Sequence, residues 1–398
     1  MKVWGLVRSL ALTICLVAAP HHALAHGGAL GARSADLDRH MLAMKQLVPP
    51  QAQARNEFDY MSDIAAETLA HHMIEDSDKF RRYLARDPLG VVFIIAPWNY
   101  PYLTTINTLA PALIAGNTVV LKHASQTLLV GERLAQAFHE AGVPADVFQN
   151  VVLDHATTES LIAGRAFNFV NFTGSVAGGQ AIERAAAGTF TPLGLELGGK
   201  DPGYVRADAN LDAAVDTLMD GAMFNSGQCC CGIERIYVHE SLFDAFVEKS
   251  VAWVNGMKLG SPLDPETTLG PMANKRFAKV VRDQIAEAVA AGAKPLIDPK
   301  NFPADDGGAY LAPQILVNVD HSMRVMMEES FGPVVGIMKI KDDEEAIQAG
   351  VEDVLYSGEL CLVEWPDKTP NLFPPDTIYL RLEVAGSDSR RLTIQVPN

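Results

Sequence analysis

Three consecutive cysteines, Cys229, Cys230 and Cys231, follow a Gly-Gln pair and are the residues of this chain best suited to chemistry. Adjacent cysteines do not suit a disulfide framework, because a bridge between neighbours strains the peptide and the sulfur geometry. They also lack the spaced thiols and imidazoles that bind zinc, so no metal site is expected. We interpret one of them as a nucleophile whose pKa is lowered by nearby backbone N–H groups. The alternative is that all three are small buried hydrophobic residues.

Two further residues have side chains that could act together with a thiol. Glu196 stands among glycines and apolar residues, so its carboxylate is expected in a largely apolar cleft, where desolvation raises a carboxyl pKa toward that of a general base. The alternative is a glutamate that caps a turn or pairs with Lys200. Asn99 lies between two prolines after a buried apolar run, where its amide can donate to a developing oxyanion or complete a turn.

Five segments in the middle of the chain, over roughly residues 57–348, resemble the aldehyde dehydrogenase superfamily and occur in the order of that family. They are the Pro-Trp-Asn-x-Pro element at 97–101, Phe172-Thr173-Gly174-Ser175, Glu196-Leu197-Gly198-Gly199-Lys200, Gly227-Gln228-x-Cys230, and Glu328-Glu329-Ser330-Phe331-Gly332-Pro333. The resemblance implies that Cys230, rather than Cys229 or Cys231, is the nucleophile. It also implies that Asn99 donates to the oxyanion and that Glu196 activates the deacylating water.

The implied reaction is the oxidation of a small-molecule aldehyde to a carboxylic acid with NAD or NADP. A thiolate at Cys230 would add to the aldehyde carbonyl, and the resulting thiohemiacetal would lose a hydride and become a thioester. Water activated by Glu196 would then release the acid. Sulfur suits both steps, because it attacks near neutral pH and leaves well from a thioester.

Short apolar runs alternate with helix-like stretches between residues 88 and 188, which predicts parallel βαβ units in a doubly wound sheet. The predicted strands are Val91–Ile95, Thr118–Leu121, Val147–Val152 and Asn168–Phe172. The predicted helices are Thr104–Ala115, Leu128–Ala141 and Gly178–Ala187. The usual Gly-x-Gly-x-x-Gly dinucleotide signature is missing, so the turn between strand and helix at Gly174 and Ser175 is expected to meet the pyrophosphate instead.

Other coenzyme contacts follow from the resemblance. Lys122 resembles the ligand of the adenosine ribose and Glu329 the ligand of the nicotinamide ribose; the alternatives are a surface lysine at a strand end and a glutamate at a helix start. Pro97, Trp98 and Phe331 are further implied coenzyme contacts. Ser125 stands where many NAD-preferring members carry an acidic residue, so nothing repels a 2′-phosphate and NADP is acceptable as well as NAD.

The composition is that of an ordinary globular chain with room for two domains. The sequence has 398 residues, 48% hydrophobic and 20% charged, with a formal net charge of −16. Because it lacks the basic stripe that phosphate contacts require, nucleic-acid binding is not expected. We therefore expect an α/β fold of the aldehyde dehydrogenase type, with a Rossmann-type cofactor domain at 88–197 and an α/β catalytic domain at 198–348.

The two ends of the chain depart from the pattern of the middle. Residues 1–25 have the form of a secretory signal peptide with an apolar stretch too short for a stable membrane span, and 26–87 are expected to form a helical region with an amphipathic helix at Ala35–Leu47. The core suits the cytoplasm, whereas a genuine signal would place the protein in the periplasm or outside the cell.

Residues 349–398 are similar to the tail of the ATPase family of tRNA threonylcarbamoyladenosine biosynthesis, without its phosphate-binding loop. Alternation at Tyr379–Glu383 and Arg391–Val396 predicts a small β-hairpin there. The family would form a homodimer or homotetramer, but the segments that end its catalytic domain and oligomerising tail are not found here. The alternatives to a working enzyme are a truncated or chimeric dehydrogenase that binds nucleotide without turnover, or a tRNA-modification accessory protein.

Overall fold

The computed structural model describes residues 52–346, 378–384 and 390–395. The chain divides into two compact units between Gly198 and Gly199. Each unit is built on its own five-stranded sheet.

The first unit contains five helices and seven strands among its described residues. The helices are α1 (Ala52–Thr68), α2 (Pro101–Ile114), α3 (Leu128–Glu140), α4 (His155–Ala163) and α5 (Val176–Ala186). The strands are β1 (His72–Asp76), β2 (Arg81–Leu84), β3 (Val91–Ala96), β4 (Thr118–His123), β5 (Phe148–Val151), β6 (Phe169–Thr173) and β7 (Leu193–Glu196).

The sheet of the first unit is parallel throughout, with strand order β5-β4-β3-β6-β7. This confirms the predicted doubly wound α/β arrangement, and the four strands predicted between residues 88 and 188 are all present, with ends that differ by at most two residues. They could be read from the sequence because strands buried on both faces appear as continuous apolar runs. β3 is such a strand, since all its residues after Val91 are buried.

Buried side chains cover both faces of this sheet. One cluster joins helices α1, α2 and α3 to the strands and includes Phe58, Leu109 and Phe138, while on the other face Phe93 stacks on Phe167 with ring centroids 4.1 Å apart. Helix α4 starts where a side chain caps it, because Asp154 Oδ1 accepts the backbone N–H of Thr157.

Strands β1 and β2 form an antiparallel hairpin that the sequence patterns do not predict. Within the expected helical region 26–87, the described part therefore contains one helix followed by this hairpin. Both strands are largely exposed, so their sequences lack the alternation of apolar and polar residues that marks a half-buried strand.

The second unit contains five helices and seven strands among its described residues. The helices are α6 (Leu211–Met223), α7 (Glu240–Asn255), α8 (Lys275–Ala290), α9 (Arg324–Met327) and α10 (Asp343–Ala346). The strands are β8 (Asp201–Val205), β9 (Ile233–His239), β10 (Lys294–Pro295), β11 (Gln314–Val317), β12 (Val334–Ile340), β13 (Tyr379–Val384) and β14 (Arg390–Gln395).

The sheet of the second unit has the order β10-β11-β12-β9-β8 and is parallel except for the short edge strand β10. Its central strand pair, β12 and β9, is buried on both faces. One face packs against residues of α6 and α7, such as Met219 and Phe246, and the other against residues of α8, such as Val281. The connections at the ends of β9 and β12 are thereby held in place.

The predicted C-terminal hairpin is confirmed, because β13 and β14 pair antiparallel from Tyr379–Gln395 to Val384–Arg390. The signal-like segment 1–25, the helix expected at Ala35–Leu47 and most of 349–398 lie outside the described residues. Among the residues that are described, no helix combines the length and apolar character needed to cross a membrane.

Candidate active site

In the first unit, the predicted catalytic and coenzyme residues lie at the carboxyl ends of neighbouring parallel strands. Asn99 follows β3, and Lys122 is the second-last residue of β4. Ser175 follows β6, and Glu196 is the last residue of β7. The chain moves from β3 to one side through β4 and β5 and then returns to the other side with β6, so the strand order reverses between β3 and β6. Ligands of open α/β sheets bind in the crevice outside such a reversal.

Lys122 is held in a buried position rather than on the surface. It is 7% exposed, and burial lowers the pKa of its ammonium group. Its Nζ donates one long hydrogen bond of 3.5 Å to the carbonyl oxygen of His123, although an ammonium group has three protons to donate. This arrangement fits a ligand that supplies acceptor oxygens, such as a ribose, and the alternative of a surface lysine is wrong.

His123 is a residue that sequence reasoning missed. Its Nε2 lies 3.1 Å from the hydroxyl of Thr105, which belongs to α2. Its Nδ1 lies 3.1 Å from the hydroxyl of Thr127, which directly precedes α3. Burial, and then the charge of Lys122, lower the pKa of His123 to about 4, so the ring is neutral near pH 7. It therefore connects β4 to the helices on both sides, while Ser125 beyond it is exposed. Only its place beside Lys122 could have drawn attention to it.

The turn at Gly174 and Ser175 is the start of α5. Ser175 caps this helix, because its Oγ accepts the backbone N–H of Gly178 at 3.2 Å. The N–H of Gly174 donates to the carbonyl oxygen of Glu196, at 2.9 Å, which ties the turn to the end of β7. A Cβ at Gly174 would lie 2.7 Å from the tip of the Phe172 ring, so a larger residue would require that ring to shift. The N-terminus of α5 can thus approach an anion closely.

Glu196 is exposed, which corrects the expectation of largely apolar surroundings. The cause is topological: β7 is an edge strand and Glu196 is its last residue. Asn99, Trp98 and Pro97 lie between β3 and α2, where Pro97 is buried and the other two are partly buried. Pro101 occupies the first turn of α2, where its missing N–H has no cost.

In the second unit, the cysteines follow a backbone segment of unusual conformation. Asn225, Ser226 and Gly227 have φ values of 52°, 57° and 69°, so three successive residues are left-handed. Such a conformation costs about 1–3 kcal/mol for each non-glycine residue and persists only where the surroundings impose it. A Cβ at Gly227 would lie 2.1 Å from the carbonyl oxygen of Gly332, so this position requires glycine.

Two buried polar side chains impose this conformation, and sequence reasoning assigned neither a role. Gln228 is 3% exposed; its Oε1 accepts the N–H of Ala273 at 2.7 Å, and its Nε2 donates to the carbonyl oxygen of Asn225 at 3.0 Å. The Oγ of Ser226 donates to the carbonyl oxygen of Gly270 at 2.7 Å. The position of Gln228 within the Gly-Gln-x-Cys segment is the signal that could have identified it.

The thiols themselves are accessible. Cys230 and Cys231 are exposed and Cys229 is partly buried, so the alternative of three buried hydrophobic residues is wrong. The pKa of Cys230 is raised to about 11, chiefly by its hydrogen bond to Cys229, and this corrects the expectation of a lowered pKa. The Cys229 and Cys231 sulfurs lie 3.3 Å apart, and hydrogen bonds with the two other sulfurs also raise the pKa of Cys231. Neighbouring sulfurs outweigh the backbone N–H group.

Glu329 and Phe331 lie in the irregular segment between α9 and β12. The Oε1 of Glu329 accepts the N–H of Gly199 at 3.3 Å, and burial, followed by the charge of Glu234, raises the pKa of Glu329. Phe331 has a φ of 50°, and its N–H donates to Glu234 Oε1 at 2.8 Å. A Cβ at Gly199 would lie 3.6 Å from the carbonyl oxygen of Cys230, so Gly199 adjoins both Glu329 and residues 225–231, which we call the thiol segment.

A doubly wound parallel sheet with polar residues along its carboxyl edge is the architecture of nucleotide-binding α/β proteins. The family model described as the aldehyde dehydrogenase family matches residues 46–351. The chain therefore belongs to the aldehyde dehydrogenase family, which confirms the resemblance in the middle of the chain.

Curated relatives and solved structures agree with this assignment. The chain is 35% identical over 302 residues to succinate-semialdehyde dehydrogenase [NADP(+)] 1 of Mycobacterium ulcerans, covering 73% of this chain and 64% of the relative. It is 36% identical over 268 residues to succinate-semialdehyde dehydrogenase [NADP(+)] of Mycolicibacterium paratuberculosis, covering 67% and 56%. The chain thus spans less than two thirds of the length of these relatives.

Among solved structures, betaine aldehyde dehydrogenase of Staphylococcus aureus in complex with NAD+ is similar with a TM-score of 0.70 and 29% identity, covering 79% of this chain and 66% of that one. A variant of an aldehyde dehydrogenase from Bacillus cereus has a TM-score of 0.71 at 29% identity, covering 79% and 67%. The fold is therefore that of aldehyde dehydrogenases.

Replacing Gly227 with alanine should destabilise the thiol segment, because the new Cβ would overlap the Gly332 carbonyl and strain a left-handed residue. We expect a loss of at least about 2 kcal/mol in the free energy of unfolding, measured by urea denaturation. Gly270→Ala is the matched control, since a Cβ there meets nothing within 4 Å. Equal stability of the two variants would contradict the role given to Gly227.

The alkylation rate of Cys230 should rise about tenfold per pH unit between pH 8 and 10, because only the thiolate reacts and its pKa is about 11. Cys229→Ala should lower that pKa and raise the rate at pH 8 at least about tenfold. Cys231→Ala should not accelerate the reaction, because the hydrogen bond from Cys231 lowers the pKa of Cys230. Iodoacetamide labelling followed by peptide mass spectrometry measures each rate, and an unchanged rate in Cys229→Ala would refute this assignment.

Proposed function

We propose that this chain oxidises an aldehyde to a carboxylic acid with NAD or NADP as the coenzyme, through a covalent intermediate on Cys230. The observation that carries the proposal is an accessible cysteine at the nucleophile position of a chain that belongs to the aldehyde dehydrogenase family. Relatives named succinate-semialdehyde dehydrogenase and neighbours solved with NAD+ support both the reaction and the coenzyme.

The proposed roles follow the family positions. The Cys230 sulfur adds to the carbonyl carbon, and the oxygen of the tetrahedral adduct takes hydrogen bonds from the Asn99 amide and a backbone N–H. A bound NAD or NADP would supply the acceptor for the hydride that leaves the former carbonyl carbon, and loss of that hydride turns the tetrahedral adduct into a thioester. The thioester carbon is then attacked by a water molecule that gives its proton to Glu196, which regenerates the thiol and releases the acid. The exposure of Glu196 leaves its carboxylate accessible to that water.

The coenzyme is proposed to lie against the carboxyl edge of the first sheet. Lys122 would hold the adenosine ribose, the start of α5 at Gly174 and Ser175 the pyrophosphate, and Glu329 the nicotinamide ribose. Pro97, Trp98 and Phe331 would contact the coenzyme. Two observations support this assignment: the buried ammonium group of Lys122 donates one long hydrogen bond to the protein, and Gly174 packs closely against Phe172.

The boundaries proposed for the parts of the chain are 1–25, 26–87, 88–197, 198–348 and 349–398. We propose succinate semialdehyde as the first aldehyde to test, since two relatives more than a third identical carry that name. A dehydrogenase that binds nucleotide with little turnover is a second candidate. It is favoured by the raised pKa of Cys230, because a thiol with a pKa of about 11 is rarely ionised at neutral pH.

Cys230→Ser should lower aldehyde-dependent formation of NAD(P)H at least about a thousandfold, because the nucleophile is lost. The assay is absorbance of the reduced nicotinamide with succinate semialdehyde. Cys231→Ala is the control and should keep activity within about tenfold of wild type. Full activity in Cys230→Ser would refute the covalent route, whereas coenzyme binding without turnover in the wild-type chain would select the second candidate.

Ser125→Glu should shift coenzyme preference toward NAD, because a carboxylate there would repel the 2′-phosphate of NADP. We expect kcat/KM for NADP to fall at least about tenfold, with a smaller change for NAD. Ser125→Gln matches the size without the charge and should leave the preference unchanged. Steady-state kinetics with both coenzymes make the comparison, and equal losses for NAD and NADP in Ser125→Glu would contradict the placement of Ser125.

A further inference from the structure

The second unit contains a buried ion pair between Lys200 and Glu234. The Lys200 Nζ lies 2.6 Å from Glu234 Oε2, and the two side chains are 8% and 4% exposed. Burying two charges removes both from water, so a buried ion pair is weak evidence for stability. The contacts of this pair point to a more specific task.

Each oxygen of the Glu234 carboxylate accepts a hydrogen bond from a backbone N–H group. Its Oε2 accepts the N–H of Ser330 at 2.7 Å, and its Oε1 accepts the N–H of the next residue, Phe331, at 2.8 Å. Lys200 reaches the same place, because its Nζ also donates to Ser330 Oγ at 3.0 Å. Three charge-assisted hydrogen bonds thus converge on two adjacent residues, Ser330 and Phe331.

Other contacts restrain the ends of the segment held in this way: the N–H of Glu328 donates to the carbonyl oxygen of Arg324 at 2.8 Å, and the carbonyl oxygen of Pro333 accepts the N–H of Gln314 at 2.9 Å. Residues 328–333 lie between α9 and β12, outside any helix or strand, and Phe331 has a left-handed φ of 50°. The carbonyl oxygen of Glu329 accepts a hydrogen bond of 3.3 Å from Gln284, and its Oε1 meets the N–H of Gly199, the neighbour of Lys200. Glu329 is therefore restrained from two directions. Glu234 and Lys200 hold Ser330 and Phe331, which follow it in the chain, and Lys200 adjoins Gly199, whose N–H contacts its carboxylate.

We propose that Glu234 and Lys200 are positioning residues that set Glu329 and Phe331 for the nicotinamide half of the coenzyme. This inference rests on the proposed function, in which Glu329 holds the nicotinamide ribose. Neither positioning residue needs to touch the coenzyme. Their effect should be confined to the nicotinamide half, because the adenosine half is assigned to residues of the first unit.

Glu234→Gln is the informative substitution. Glutamine has the same shape, but one of its two acceptor oxygens becomes an NH₂ group that cannot accept a backbone N–H, and the charge facing Lys200 is lost. The double variant Lys200→Met/Glu234→Gln removes the unpaired ammonium as well. It serves if the single variant fails to fold. Asp283→Asn, which removes the exposed Lys279–Asp283 pair on α8, is the matched control.

The test compares binding of two probes to the full chain. Fluorescence titration with NADH and NADPH reports the complete coenzyme, and calorimetry with ADP and 2′,5′-ADP reports the adenosine half alone. We expect Glu234→Gln and the double variant to raise the Kd of the reduced coenzyme at least about tenfold. The Kd of the adenosine probes should change less than about twofold, and Asp283→Asn should change neither.

A second readout does not depend on coenzyme. Hydrogen exchange of the peptide that contains Ser330 and Phe331 should be faster in both Glu234 variants, because its backbone N–H groups lose their acceptor. Unchanged exchange, unchanged NADH binding, or equal losses for both kinds of probe would overturn the inference while leaving the proposed function intact. A wild-type chain that binds adenosine probes but no NAD(P)H would overturn the proposed function and this inference together.

Discussion

The carboxylate of Glu234 joins three parts of the second unit that are far apart in the sequence. It lies in β9, its cation Lys200 directly precedes β8, and the backbone it holds precedes β12. Strands β8, β9 and β12 are adjacent in the sheet, so one buried carboxylate stabilises the loops at their amino ends. A neutral residue of the same volume could fill the space but could not accept two consecutive N–H groups and an ammonium proton.

The thiol segment depends on the same loop. Gly227 packs so closely on the carbonyl of Gly332 that no side chain fits between them, and Gly332 follows the residues held by Glu234. Asn225 and Ser226 adopt an unfavourable left-handed conformation, which the side-chain hydrogen bonds of Gln228 and Ser226 maintain. Strain in the thiol segment and order in the segment of Glu329 are thus parts of one packed structure within the second unit.

Sequence reasoning succeeded where a property is carried by consecutive residues. The runs at β3, β4 and β6 predict buried parallel strands because both faces of each strand need apolar side chains. It failed where a property depends on a partner from elsewhere in the chain or on position in the sheet. The hairpin β1–β2 has no buried apolar face to detect, Glu196 is exposed because β7 lies at an edge, and nothing near Glu234 indicates a partner 96 residues away. The prediction of a lowered pKa for Cys230 was wrong for a local reason, because hydrogen bonding among adjacent sulfurs outweighs the effect of a backbone N–H.

That pKa bears on how the proposed chemistry can start. A thiol that is hydrogen-bonded to a neighbouring sulfur keeps its proton, and the protonated form resists oxidation better than a thiolate does. The same proton must leave before sulfur can attack a carbonyl, so the thiol needs an acceptor at the moment of reaction. A cysteine that keeps its proton at rest and loses it during turnover would reconcile a raised thiol pKa with the proposed nucleophilic role.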